Sequence, residues 1–176
     1  MLKNIDLHVD WEQMHSDYEE VLSKALPNGW DESALIEGRQ INLRGKDFLE
    51  KQYESKKPTP ELYKLFSFWH PETPKYTRNI IDEVCYITGH KLVRARYLCL
   101  PPGKGLSYHE DLGERIHFVI DTNPQSLFFF VGEGVFHENL QPHHLPCSNN
   151  FVKVNTTKTH FVYNAGHTNR IHLVIS

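Results

Sequence analysis

A chain of 176 residues has the length of one domain, with enough residues for a sizeable core and too few for two enzymatic domains. Lys and Arg number 19 against 22 Asp and Glu, a formal charge of −3, so the basic excess of a nucleic-acid binder is missing and a small neutral or polar partner is favoured. The longest strongly apolar run, Leu127–Val131, is far below a membrane span, and the charged opening has no signal-peptide core; the expectation is a soluble, cytoplasmic protein.

The N-terminal part, 1–89, reads as helical and irregular support within a single domain spanning 1–176. His8 falls in a stretch expected to be mobile. Asp10-Trp-Glu-Gln13 has the form of a capping box, opening an amphipathic helix with Trp11, Met14, Tyr18, Val21, Leu22 and Ala25 on one stripe and Pro27-Asn28-Gly29 at its end. A short strand follows at Gln40–Leu43, then a loop around Lys56–Pro60, an apolar segment from Leu62 to Trp69, and a helix from about Thr77 to Val84.

From His90 onward, short strand-like runs alternate with Gly, Pro and Asn: Leu92–Leu100, Leu106–His109, Arg115–Ile120, Ser126–Val131, Phe151–Val154, His160–Tyr163 and Arg170–Ile175. Strands at this spacing imply a mainly β fold, a double-sheet jelly roll, in 90–176. The Phe128-Phe129-Phe130 run is expected to be a buried strand. Cys85, Cys99 and Cys147 lack CxxC spacing and are odd in number, so they read as free thiols in a reducing compartment.

The unusual count is 12 His. His-x-Asp occurs twice, at His8-Val9-Asp10 and His109-Glu110-Asp111. In the first, Asp10 is already engaged as a helix N-cap. The second ends a short strand after the Pro102-Gly103 turn, where an imidazole and a carboxylate two residues apart reach one metal ion. Further on, His160 begins one strand, and ten residues later Arg170 begins the next. The spacing predicts that both side chains reach the same mouth of the barrel, as on adjacent antiparallel strands. His109, Asp111 and His160 thus form the pattern of a facial triad for non-haem iron(II), with Arg170 placed to pair with the carboxylate of a bound acid.

With these residues in place, the segment from about Arg94 to Ser176 resembles the aspartyl/asparaginyl β-hydroxylase branch of the 2-oxoglutarate- and iron-dependent oxygenases. The shared pattern is Pro102-Gly103, His109, Arg115-Ile116-His117, and His160 followed by Arg170. The resemblance implies a double-stranded β-helix, Fe(II) held by His109, Asp111 and His160, and 2-oxoglutarate held by Arg170, with Arg115 and His117 assisting at the cosubstrate. It also implies hydroxylation of an unactivated carbon in an amino acid, a peptidyl side chain or a related small molecule. Asp111 is a departure from the animal peptide-modifying members, which lack that carboxylate. Two other classes share parts of the pattern: a cupin-type metal enzyme without 2-oxoglutarate, which would not need Arg170, and a non-catalytic jelly-roll binding domain, which would not need the triad.

The remaining histidines have simpler expectations. His117 and His172 share a strand face with Arg115 and Arg170 and line the interior. His137, His143 and His144 fall in a Pro-rich connection, 134–148, and are expected on a surface loop. His167 is expected in a solvent-facing turn, and His70, after two aromatics, is expected either to border the site or simply to pack.

Overall fold

The computed structural model describes residues 2–30, 39–49, 64–132 and 139–176. The 56–60 loop and His137 lie outside the described residues. In chain order the elements are β1 (Leu2–Asn4), α1 (Trp11–Ala25), β2 (Arg39–Asn42), α2 (Lys75–Thr88), β3 (Ala95–Leu100), β4 (Gly105–His109) and β5 (Arg115–Asp121). They continue with β6 (Ser126–Val131), β7 (Leu140–His144), β8 (Val152–Val154), β9 (His160–Asn164) and β10 (Arg170–Ile175).

The strands form two antiparallel sheets: a six-stranded one in the order β1-β8-β5-β10-β3-β2 and a four-stranded one in the order β4-β9-β6-β7. From β3 to β10 the chain crosses between the sheets at every step except the β6–β7 pair, and the last strand returns between β3 and β5. This is the double-stranded β-helix, a jelly roll, extended at the edges of its larger sheet by β1 and β2.

Two apolar clusters flank the six-stranded sheet. On its helical side Ile171, Leu173 and Ile175 of β10 and Tyr97 and Cys99 of β3 pack with Met14, Tyr18 and Val21 of α1 and Ile81 and Val84 of α2. On the barrel side a smaller cluster joins Leu100, Val119, Phe128, Phe130, Val154 and Val162. Alternation in β10 therefore sends odd positions to the helices and even positions, Arg170, His172 and Val174, into the barrel. In β6 the same rule buries Phe128 and Phe130, whereas Phe129 points outward and stacks on Phe161 at 4.5 Å. The Phe run is thus buried on one face only.

The helix start at Asp10 is half of the expected capping box. Asp10 Oδ1 accepts from Gln13 N at 3.1 Å, but the Gln13 amide donates onward to Asp17 Oδ1 at 2.8 Å. Asp17, which breaks the apolar stripe yet is buried, accepts from Thr77 N at 3.0 Å and Thr77 Oγ1 at 2.6 Å. The N-cap of α2 is Pro74, which has no capping side chain, so a carboxylate from the neighbouring helix performs that task. This helix runs from Lys75 to Thr88, longer than the expected 77–84, and closes on Gly89 at φ 64°.

Two expectations are corrected. His143 and His144 are not on a surface loop: they end β7, whose residues pair with β6 from Leu127↔His144 to Val131↔Leu140. Pro142 is tolerated because β7 is an edge strand with one side free of ladder bonds. The N-terminus is not a mobile tail either. Leu2–Asn4 pair with β8, Ile5 N donates to Phe151 O at 2.9 Å, and Val9 N donates to Asn149 O at 2.8 Å; His8 itself is exposed.

Asp17→Ala removes the acceptor of the buried Thr77 N–H and hydroxyl and should cost about 2 kcal/mol, a Tm lower by roughly 4–8 °C in thermal denaturation, with metal affinity unchanged. Deleting residues 1–8 removes β1 and buried Ile5, and should also lower Tm while leaving metal uptake as in the parent. Loss of metal on that deletion would transfer the site to His8 and Asp10.

Candidate metal centre and barrel interior

Gly103, at φ 69°, supplies the left-handed turn that sends the chain from β3 into β4, and its N–H donates to Asn164 O at 2.8 Å. β4 then runs antiparallel to β9 with His109 directly opposite His160, their rings 4.3 Å apart between centroids. Asp111 leaves the strand two residues later, pinned by its N–H to Thr156 O at 2.9 Å. One ligand atom from each of His109, Asp111 and His160 lies within 4.8 Å of the others. His109 Nε2 is 4.0 Å from Asp111 Oδ1, and His160 Nε2 is 3.8 Å from Oδ2.

Both imidazoles are oriented by the backbone. Nδ1 of His109 lies 2.6 Å from Ser107 O, and Nδ1 of His160 lies 2.9 Å from Lys158 O. A carbonyl only accepts, so each Nδ1 carries the proton and each Nε2 turns a lone pair to the centre. Burial lowers the His160 pKa below its ordinary value, which favours the neutral form that a ligand requires. Asp111 Oδ1 accepts from Arg115, while Oδ2 is buried without a hydrogen-bond partner. Two lone pairs and an orphaned carboxylate oxygen converging on one point are what a divalent cation satisfies, and the two-His, one-carboxylate donor set fits Fe(II).

Arg115 therefore sits against the ligand carboxylate. His117, two residues on and 3% exposed, lies deeper, its ring edge-on to Phe128. Its Nδ1 is 3.4 Å from Nδ1 of His172, which in turn is 3.0 Å from Arg170 Nη2. Since a guanidinium only donates, His172 accepts at Nδ1 and carries its proton on Nε2, while His117 meets His172 edge-on with ring centroids 5.6 Å apart. Neither Nε2 has a partner. Burial first, and Arg170 second, hold both imidazoles well below their usual pKa, so both are neutral near pH 7.

Arg170 is 4% exposed, with its guanidinium carbon 5.1 Å from the centre of the Phe128 ring. No carboxylate among the described residues pairs with it, and burial pulls its pKa down to about 9. Its placement differs from the expected shared mouth. β9 and β10 lie in different sheets, and Arg170 starts β10 just after the turn that follows Asn164, at the opposite end of β9 from His160. The two are connected through the interior by Phe128, whose ring centre is 6.1 Å from that of His160.

A cavity of about 250 Å³ opens beside the ligands, bounded by Gln40, Arg96, Leu98, Leu106, His109 and Arg115. Arg96 was not singled out by the sequence reasoning. Its signal is a cation at an even position of the otherwise apolar β3, in register with inward-facing Val174. Other histidines are elsewhere: His167 is exposed, and His70 stacks on Phe48 at 3.7 Å. Cys85 and Cys99 are buried and Cys147 is exposed, and none of the three forms a disulfide among the described residues.

Replacing His109 or His160 by Ala should abolish tight Fe(II) or Mn(II) uptake in a metal titration while the circular-dichroism spectrum is kept; Asp111→Ala should retain part of it. Unchanged uptake in both His variants would refute the assignment.

No protein-family model matches this sequence, and no curated protein matches it. Solved structures do resemble the fold. A prolyl-4-hydroxylase from Pseudomonas putida aligns over 98% of this chain and 89% of its own, with 9% identity and a TM-score of 0.58. The non-heme monooxygenase ThoJ, solved as a nickel complex, aligns over 99% and 71%, with 12% identity and a TM-score of 0.53. With an oxidoreductase of the 2OG-Fe(II) oxygenase family from Burkholderia pseudomallei, the overlap is 58% of this chain and 56% of that one, with 10% identity and a TM-score of 0.46. This chain thus spans little more than half of that protein. No helix among the described residues is long and apolar enough to cross a membrane. Topology and the full-length likenesses together show a double-stranded β-helix, a mainly β jelly roll with helices packed on its larger sheet.

Proposed function

We propose that this protein is an Fe(II)- and 2-oxoglutarate-dependent oxygenase that hydroxylates an unactivated carbon of an amino acid, a peptidyl side chain or a related small molecule. The observation that carries the reading is the pairing, inside one barrel, of a two-His, one-carboxylate cluster with a buried arginine that has no acid partner among the described residues. Two of the fold's likenesses are themselves a prolyl-4-hydroxylase and a non-heme monooxygenase, which supports the same class of chemistry. The pattern of Arg115, His117 and Arg170 favours the aspartyl/asparaginyl β-hydroxylase-like branch.

In this reading His109, Asp111 and His160 hold the iron, and Arg170 takes the remote carboxylate of 2-oxoglutarate. A planar guanidinium matches a carboxylate with two parallel bonds, and the proton on His172 Nε2 offers a further donor at the same depth. Arg115 holds Asp111 by Oδ1 and so leaves Oδ2 for the metal. His117 orients His172 and, being neutral, adds no competing charge. When bound, iron and 2-oxoglutarate supply the oxidising chemistry, with succinate and carbon dioxide as the coproducts. The barrel wall of Leu100, Val119, Phe128 and Phe130 excludes water around it. The alternative of a cupin-type enzyme without cosubstrate leaves Arg170 without an anion to bind.

Calorimetric titration of the Mn(II)-loaded protein with 2-oxoglutarate tests this. The parent should bind, Arg170→Lys should lose roughly tenfold in affinity or more, and Arg170→Ala should keep its metal yet form no succinate in the Fe(II) assay. Absence of binding by the parent, or equal binding by the parent and Arg170→Ala, would favour the cosubstrate-free cupin.

A further inference from the structure

Among the described residues, Arg96 is the buried cation that this reading leaves without a task. It is 8% exposed, lines the cavity next to His109, and has a buried Nε without a hydrogen-bond partner. No carboxylate among the described residues forms an ion pair with it. The nearest acid whose field it feels is Asp111, which Arg115 already engages, and the Arg94 and Arg115 guanidinium groups add like charge around it. Burying a guanidinium without an opposite charge beside it is strongly unfavourable. A protein keeps one in a cavity wall when something that enters the cavity brings the opposite charge.

The cavity also says what kind of molecule enters. Arg96 and Gln40 are polar groups of adjacent strands, because Gln40 pairs with Leu98 and Asn42 with Arg96 in the β2–β3 ladder. Leu98 and Leu106 make apolar wall, and His109 and Arg115 bring the cavity to the metal ligands. Its volume of about 250 Å³ lies below the ~300–1,000 Å³ of sites for drug-sized ligands, so the occupant is compact. Arg170 does not border this cavity, which separates it from the place assigned to the cosubstrate.

We propose that Arg96, with Gln40 beside it, binds the carboxylate of a small aliphatic acid and lays its chain along Leu98 and Leu106 towards the metal centre. That this acid is the substrate rests on the oxygenase reading above; that an anion binds here does not. The shared chemistry with a phosphate monoester is the negative head group, and the planar fork of Arg96 together with the limited space favours a carboxylate.

The test measures binding of hexanoate, hexanamide and hexyl phosphate by calorimetry, each to the Mn(II)-loaded parent, Arg96→Met and Arg96→Lys, with 2-oxoglutarate titrated in parallel. Hexanoate should bind the parent at least tenfold more tightly than hexanamide, Arg96→Met should erase that difference, and Arg96→Lys should keep part of it. Affinity for 2-oxoglutarate should stay within twofold throughout. Without ligand, Arg96→Met should melt at or above the parent temperature, because an uncompensated buried charge has been removed, whereas a purely structural arginine would lower it. Hexanoate should raise the parent Tm and not that of Arg96→Met. The proposal is overturned if hexanoate binds no better than hexanamide, or if hexyl phosphate binds more tightly than hexanoate. Loss of 2-oxoglutarate affinity in Arg96→Met by the same factor as hexanoate would also overturn it, since Arg96 would then serve the cosubstrate. A parent that binds hexanoate through Arg96 but never binds 2-oxoglutarate would sink the oxygenase reading and leave this anion site standing.

Discussion

His109 ends β4 directly opposite His160 at the start of β9, and the chemistry of the interior is organised around that pairing. An antiparallel ladder places opposed residues about 5 Å apart, so two imidazoles at this register are close before any metal arrives. Backbone carbonyls at 107 and 158 then select the tautomer, and the Arg115–Asp111 pair selects which carboxylate oxygen remains free. Three ligand atoms are thereby preorganised at little entropic cost, because each is held by a group outside the triad.

The second constraint is electrostatic. Arg96, Arg115 and Arg170 are buried or largely buried cations of the barrel, and Asp111, beside Arg96 and Arg115, is the carboxylate of the triad. His117 and His172 are neutral and relieve none of that charge. A low-dielectric interior with surplus cations is destabilised in the empty state and stabilised by anions. On the proposed reading, two acids would relieve this charge: one near Arg170 and His172, and one near Arg96 and Gln40.

Such an interior is tolerable because stability is supplied elsewhere. The larger apolar cluster lies between the outer face of the six-stranded sheet and α1 and α2, where Ile171, Leu173 and Ile175 alternate with the polar inward residues of β10. The cross-helix hydrogen bonds of Asp17 tie α2 to α1 and keep that layer in place. One strand therefore serves both layers, burying aliphatic side chains on one face and presenting Arg170 and His172 on the other.

The sequence by itself determined whatever depends on near neighbours. Short apolar runs bounded by Gly, Pro and Asn located β5, β6, β8, β9 and β10, Pro102-Gly103 located the turn before β4, Asp10 marked the start of α1, and His109, Asp111, His160 and Arg170 stood out by spacing. What depends on partners far along the chain was decided only by tertiary structure. β7 lacks an alternating apolar pattern and contains Pro142, so it becomes a strand only because β6 offers it a ladder. Residues 2–4 are likewise ordered by β8, not by their own propensity. Asp17 is a surface residue by composition and a helix cap by packing, and Arg96 becomes a binding group only because β2, β4 and β5 close a cavity over it. The separation of Arg170 from the His160 end of the barrel follows from the chain reversal between β9 and β10, which puts the starts of the two strands at opposite ends, whereas the joining of β9 and β10 to different sheets was decided by pairing energies across the whole jelly roll that no local window contains.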